Sequence, residues 1–313
     1  MRDTFLEQLA WPCAVEALPV NARDTLQLFA EILTLLPGCL RSGDLVMVEG
    51  DTSSVLAASL VANKLGLPLD HLEAGLRSYD LRMPEEHNRR VCDHIADYLF
   101  APTEFDASHL REEHVPGRVF VVGNTVLDAV RQNIARLDQV PKIGEDYVLI
   151  TLHRQENVDQ VGFLREVVGF LRSTSLPCVF PVHPRTRDKL EAAALWSSVS
   201  DLSHVRLLEP LDYLGFLAAV RNARVIVTDS GGVQEEATAP ELRRPVVVLR
   251  HSTERVPAIE ARYSVLAPPN AEKLLRLVTD LSWFQPNGSS PFGDGYSADA
   301  ITRLLTGAQR LAA

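Results

Sequence analysis

The chain has 313 residues, of which 46% are hydrophobic and 23% charged, and its formal net charge is −10. That length accommodates two α/β domains of ordinary size, and the composition is average for a globular protein. The acidic balance excludes nucleic acid as a general partner, because phosphate backbones select clustered Lys and Arg, but it leaves room for one anionic ligand in a local basic pocket. The four cysteines, Cys13, Cys39, Cys92 and Cys178, have no metal-knuckle or redox-pair spacing and read as reduced thiols of a cytoplasmic protein. The opening MRDTFLEQLA lacks the apolar core of a signal peptide. No apolar run approaches the ~20 residues of a membrane span.

In chain order, two helical patterns come first, Arg2–Leu9 and Arg23–Leu36, with no strand before them. Short apolar runs follow at Leu45–Val48, Leu69–Leu72, Tyr98–Ala101 and Val119–Val122, each trailed by a turn and a helical pattern. The run at Leu69–Leu72 is the weakest, being interrupted by Asp70 and His71. After a helix at Thr125–Leu137, the polar, Pro- and Gly-bearing QVPKIGED marks a boundary. A second series then runs Tyr147–Thr151, Val179–Val182, Val205–Leu208, Val225–Thr228 and Val246–Leu249. Phe284–Ser297 reads as a loop and Ala298–Leu311 as a last helix. Continuous apolar runs alternating with helices imply parallel sheets buried on both faces. The expectation is two Rossmann-like domains, 1–142 with about four strands and 143–297 with about five.

Four segments concentrate chemistry at strand ends. In VTDSGGVQEE a buried strand ends in Ser230-Gly231-Gly232 and a helix starts, so free N–H groups point at the strand's carboxyl edge, where glycines let a phosphate approach. Glu236, one turn in, could accept hydrogen bonds from a ribose diol. A turn capped by Ser230, with no ligand, has the same pattern. In EGDTSS, Asp51 follows another strand, and an Asp or Thr helix cap is the plain alternative. In HLEAGLR…MPEEHNRR, Pro84 opens a helix whose first-turn acids Glu85 and Glu86 suit the helix dipole. Glu73 instead ends a strand, where a carboxylate needs a partner such as Arg77 or Arg89. The three carboxylates and these two arginines together suggest proton transfer to or from an anionic ligand, with Arg77 as a candidate to bind it. In TLHRQEN, His153 could be an acid, a base or a phosphate ligand, and His183 in PVHPR repeats that logic more weakly. No dinucleotide fingerprint, nucleophile elbow or zinc spacing appears.

Together, VEGDTSS, HLEAGLRSYDLRMPEEHNRR, DYLFAPTE, VVGNTVLDAV, TLHRQEN, DSGGVQEEA and LRHSTERVPAIEA resemble the non-hydrolysing UDP-N-acetylglucosamine 2-epimerases in order and spacing, from about Met1 to about Leu281. The resemblance implies a GT-B-like architecture: two Rossmann-like domains, a UDP-sugar in the cleft between them, and a C-terminal helix, here 298–313, that packs back on the first domain. It implies interconversion of UDP-GlcNAc and UDP-ManNAc by anti elimination and re-addition of UDP, with neither metal nor other cofactor, by a cytoplasmic homodimer. By position, Asp51, Glu73 and Glu85 match the family's catalytic carboxylates. Arg89 and His153 match groups that hold the diphosphate or assist its departure. Ser230, Gly231 and Gly232 match the diphosphate turn, Glu236 the ribose contact, and Arg250, Thr253, Glu254 and Arg255 a segment that closes the cleft. The alternatives are a GT-B glycosyltransferase using a UDP-sugar and a non-catalytic UDP-sugar-binding paralogue. One departure stands out: the family's opening strand and Gly-Thr-Arg-Pro-Glu turn have no match here. A start codon placed too far downstream is the preferred explanation, and a truncated or degenerate paralogue is the other. The first domain is then expected to be incomplete, Asp51, Glu73 and Glu85 to be the least secure part of the site, and turnover by these residues alone to be negligible.

Overall fold

A computed structural model describes Cys13 and residues 15–311, so the helix expected at Arg2–Leu9 lies outside the described residues. The chain divides into two compact units, residues 1–124 with 297–313, and residues 125–296.

The first unit opens on α1 (Thr25–Leu35), whose N-cap Asp24 accepts a hydrogen bond from Gln27 N. It continues through β1 (Val46–Glu49), α2 (Ser53–Leu65), β2 (Leu69–Leu72), α3 (Pro84–Ile95), β3 (Tyr98–Ala101), α4 (Glu104–Glu112) and β4 (Arg118–Val121). The four strands are parallel, in the order β1-β2-β3-β4. One apolar cluster packs Val46, Val48, Leu69 and Leu99 with Ala62, Ala107 and Leu110 of the covering helices. Another joins Leu72 and Phe100 to Ile301 of the C-terminal helix, Ser297–Leu311. β1 lies at the sheet's edge, and there burial alternates, with Met47 46% exposed.

The second unit starts with α5 (Thr125–Asn133) and a 3-10 stretch (Ile134–Gln139). There follow β5 (Tyr147–Thr151), α6 (Gln155–Val158), α7 (Val161–Ser173), β6 (Cys178–Pro181), α8 (Pro184–Ala192), α9 (Ser197–Ser200), β7 (Val205–Leu208), α10 (Tyr213–Asn222), β8 (Ala223–Thr228), α11 (Gly231–Glu236), β9 (Val246–Val248), α12 (Val256–Glu260), β10 (Ser264–Leu266) and α13 (Ala271–Thr279). Six parallel strands run in the order β10-β9-β8-β5-β6-β7. The central strands are sealed on both faces, with Val148, Ile150, Val225 and Val227 in one core cluster and Leu149, Ile226, Val246 and Val248 in the other.

The two parallel α/β sheets are the expected class, with two differences of detail. The second sheet has six strands rather than five, because the three residues of β10 are too short a run to stand out from their flanks. The division falls at Asn124/Thr125 rather than at 142/143, because Leu127, Val130 and Leu137 pack into the second unit's core beside Tyr147 and Leu149. Phe284–Ser297 carries no strand and only the first residue of the last helix, yet Phe292 is buried and Arg131 donates to the Gly295 carbonyl at 2.7 Å. No helix among the described residues is long and apolar enough to cross a membrane.

β2 is fully buried despite the two polar residues that weakened it as a sequence signal. His71 finds partners, whereas Asp70 is 0% exposed and neither of its oxygens has a hydrogen-bond partner. Burial, with the nearby Asp97 charge, pushes the Asp70 carboxyl up to about 7. The unfolded chain gives up this proton near pH 4 and the folded chain only near pH 7, so stability falls as pH rises through that window. Asp70→Asn removes the charge and raises the melting temperature at pH 8 by a few degrees, at about 2–4 °C per kcal/mol. The gain shrinks toward pH 5; thermal melts showing an equal gain at both pH values would refute the account.

Candidate functional site

In the first unit the carboxyl ends of β1 and β2 converge with the start of α3. Thr52 caps α2, accepting from Val55 N, which frees Asp51 for another role. Asp51 Oδ2 accepts from Arg89 Nε at 3.0 Å and from Arg89 Nη2, while Asn88 Nδ2 donates to the Asp51 carbonyl at 2.8 Å. Arg89 is 3% exposed and reaches Glu86 Oε2 with Nη1 at 2.9 Å. Glu86 also takes the Ser78 N–H and hydroxyl, both at 2.9 Å, so it ties the loop before α3 to the helix. The two first-turn acids therefore differ: Glu86 is sealed within the ion network, while Glu85 is partly exposed.

Glu73 leaves β2 with φ 61°, a left-handed backbone uncommon for a residue with a side chain. Its Oε1 accepts from Asn124 Nδ2 at 2.9 Å. Gly50, at φ 78°, keeps the Asp51 turn close, and a Cβ there would lie 3.7 Å from Glu73 Oε2. Below these groups His71 bridges Asp93 Oδ1 (2.8 Å) and the Gly50 carbonyl (2.9 Å). Both ring nitrogens face acceptors, so the doubly protonated ring satisfies them best. Burial opposes that charge, but the Asp93 carboxylate and the Gly50 carbonyl carry the His71 pKa above its ordinary value.

Arg77, expected to meet the ligand, is 2% exposed and points into the unit. Its Nη1 lies 2.7 Å from Asp93 and its Nε and Nη2 form a fork on Glu113 at 2.9 and 2.6 Å. It serves the scaffold: with both ends of the fork engaged, no donor is directed outward. The Arg77 hydrogen bonds hold the Glu113 carboxyl down to about 2. Asp51 and Glu73, expected to be the least secure part of the site, each have a partner within the unit, Arg89 and Asn124.

In the second unit the sites lie at the ends of β5, β6 and β8. Asp229 is fully buried and organises the turn after β5, accepting from His153 N (3.1 Å), Arg154 N (3.0 Å) and Asn157 Nδ2 (3.2 Å). His153 Nδ1 lies 3.5 Å from Asp229 Oδ1, yet burial dominates and lowers the His153 pKa, so the ring is neutral at pH 7. His183 caps α8 by accepting from Arg185 N at 3.2 Å, and its ring centroid is 6.0 Å from that of His153.

Ser230 occupies the N-cap position of α11 but its side chain makes no capping hydrogen bond, so the plain capped turn is not what the residue forms. Gly231 and Gly232 differ. A Cβ on Gly231 would come within 3.1 Å of Glu254 Oε1 and 3.3 Å of Arg255 Cζ, whereas a Cβ on Gly232 would meet nothing within 4 Å. Glu254 collects Arg250 and Arg255 at 2.9 Å and Arg154 at 3.4 Å, and these guanidiniums hold its carboxyl far below the usual range despite burial. Arg255 also pairs with Glu235, and Thr253 donates to Gln234 Oε1 at 3.0 Å, so residues 250–255 are laced onto α11. Glu236 is 8% exposed, no hydrogen bond reaches its carboxyl among the described residues, and burial pushes that carboxyl up to about 7. The unit thus presents an open glycine, an uncommitted serine hydroxyl, a basic cluster and a carboxyl able to accept two hydroxyls.

Asn124, Asp229 and Arg154 went unmarked among the candidate residues. Asp229 and Arg154 lie inside quoted motifs, and a buried Asp directly after an apolar strand was the available signal. Asn124 carries no sequence signal for its partner, 51 residues away.

Residues 1–306 match the family model described as UDP-N-acetylglucosamine 2-epimerase. The UDP-N-acetylglucosamine 2-epimerase of Methanocaldococcus jannaschii is 42% identical over 277 residues, covering 84% of this chain and 75% of the relative. The crystal structure of the Methanocaldococcus jannaschii UDP-GlcNAc 2-epimerase in complex with UDP-GlcNAc and UDP superimposes with a TM-score of 0.87 at 38% identity, covering 97% of this chain and 87% of that one. The Neisseria meningitidis UDP-GlcNAc 2-epimerase bound to UDP-GlcNAc gives 0.85 at 30% identity, covering 97% and 88%.

The unequal surroundings of the two glycines make a stability prediction. Gly231→Ala requires the buried Glu254–Arg255 pair to give by a few tenths of an ångström, and its melting temperature is expected to lie below that of Gly232→Ala. Gly232→Ala meets open space and leaves the melting temperature unchanged or slightly raised. Equal melting temperatures for the two variants would contradict this packing.

Proposed function

This chain belongs to the UDP-N-acetylglucosamine 2-epimerase family, and we propose that it interconverts UDP-N-acetylglucosamine and UDP-N-acetylmannosamine by inverting C2. The observation that carries this reading is the chemistry each unit presents, by itself, beyond its strand ends. One unit offers carboxylates at its strand ends, and the other offers an open glycine turn beside arginines. Relatives at 38–42% identity are epimerases, which leaves the glycosyltransferase and binding-only alternatives with less to support them.

The proposed step is an anti elimination. A carboxylate among Asp51, Glu73 and Glu85 takes the C2 proton. The C2–H electron pair becomes a C1–C2 double bond as the C1–O bond to UDP breaks, and re-addition of UDP with reprotonation of C2 on the opposite face completes the inversion. Departing UDP carries a negative charge that N–H groups and guanidiniums stabilise. In the second unit Ser230, Gly231 and Gly232 receive the diphosphate, with His153, His183, Arg250 and Arg255 as donors, and Glu236 accepts the ribose hydroxyls; the resemblance adds Arg89 of the first unit to the diphosphate donors. Thr253 and Glu254 hold the arginine segment against the turn. All four cysteines are free, which suits a reducing compartment; we place the enzyme in the cytoplasm, as a homodimer in keeping with the resemblance.

Two measurements test this. UDP-N-acetylglucosamine incubated with the full-length gene product in deuterated water gains deuterium at C2 as the manno epimer appears. Epimerisation without uptake would rule out elimination. The second concerns Glu236, whose carboxylate form binds a diol better than its neutral acid. With its pKa at about 7, calorimetry should find UDP-N-acetylglucosamine bound about tenfold more weakly at pH 6 than at pH 8. Glu236→Gln should bind weakly at both, and a pH dependence surviving in that variant would remove Glu236 from the site.

A further inference from the structure

We propose that Asn124 is the positioning residue of Glu73, fixing the plane of its carboxylate for proton transfer; the assignment rests on the epimerase reading and adds to it. Three observations carry it. Asn124 is 2% exposed and its amide donates to Glu73 Oε1 at 2.9 Å, reaching across from the end of β4 to the end of β2. The strand between them, β3, pairs with both, so the sheet holds the distance. Glu73 departs from β2 at φ 61°, a conformation that persists only where the surroundings over-determine it.

The two oxygens of Glu73 are thereby distinguished. Oε1 is held by the amide, and Oε2 is directed to the turn carrying Asp51, 3.7 Å from where a Cβ of Gly50 would sit. A neutral amide suits this task better than a guanidinium does. It fixes geometry through one N–H and brings no charge of its own to the carboxylate. Asp51 contrasts, since Arg89 donates to its Oδ2 twice. A carboxylate free to rotate would sample many orientations, and a misplacement of about 1 Å can lower a rate roughly a hundredfold.

The test compares the full-length gene product, as parent, with its Asn124→Asp and Asn124→Ala variants, reading deuterium incorporation at C2 of UDP-N-acetylglucosamine by NMR between pH 5 and pH 8, with UDP affinity by calorimetry as the check on folding. N124D keeps the shape of the side chain but sets an acceptor against an acceptor. Its exchange rate should fall about a hundredfold at pH 8 and recover toward the parental rate as pH falls, when one proton shared by the two carboxyls restores the hydrogen bond. N124A should lose at least about tenfold without acid recovery, with UDP affinity within threefold of the parent in both variants. Parental exchange by either variant at pH 8, or N124D that binds UDP normally and shows no acid recovery, overturns the assignment of Asn124 alone. Should N124D lose UDP affinity, N124A decides: parental exchange overturns the assignment and a tenfold loss supports it. A parent that binds UDP but incorporates no deuterium overturns the epimerase reading itself.

Discussion

Arg89 is the group on which the first unit's chemistry depends. Its guanidinium is nearly sealed from water, and a buried charge without partners costs several kcal/mol. It is stable there because Asp51 and Glu86 flank it, one from the end of β1 and one from the first turn of α3. The same contact that neutralises the arginine fixes where Asp51 lies and, through Glu86 and Ser78, where the loop before α3 runs. Removing either carboxylate would leave the cation half-partnered and loosen both turns at once. The second unit solves the mirror problem. There the buried group at the strand end is an anion, Asp229, and backbone N–H groups of the neighbouring turn satisfy it.

These solutions explain how open parallel sheets hold polar groups at their carboxyl ends. A doubly wound sheet exposes that edge by construction, and side chains there are either reagents or the props of reagents. Asp93, Glu113 and Arg77 are props, forming a chain of ion pairs behind His71 and Gly50. Their pairing keeps the Asp51 turn in place without presenting any of those charges outward.

How much of this was legible in the sequence varied by mechanism. The strands were readable because burial on both faces demands unbroken apolar runs, and even Leu69–Leu72 emerged through its neighbours. β10, three residues long, gave too little periodicity to register. The turn at Ser230–Gly232 was readable because glycine placement is local. The direction of Arg77 was not legible, because sequence proximity to Glu73 says nothing about where the side chain turns; only the fold shows its fork on Glu113. Glu85 and Glu86 look interchangeable in MPEEHNRR, yet a helical step of about 100° separates a sealed acid from a partly exposed one. Asn124 was invisible for the converse reason, since its partner lies two strands away in the sheet.

The titrating groups fall into two physical classes, and the division bears on which of them can handle protons. Glu113 and Glu254 are dominated by guanidinium partners and stay ionised far into acid, so they serve as fixed charges. Asp70, His153 and Glu236 are dominated by burial, which favours their neutral forms near pH 7. Asp70 lies within β2 rather than at its carboxyl end, and its unmet charge is a burden on the fold. Glu236, the last residue of α11, and His153, just past β5, lie beyond the strand ends, where a ligand could supply further partners. The same omission of a partner is thus destabilising inside a strand and becomes capacity for binding at its end. What separates the two cases is whether an incoming hydroxyl or phosphate can reach the group.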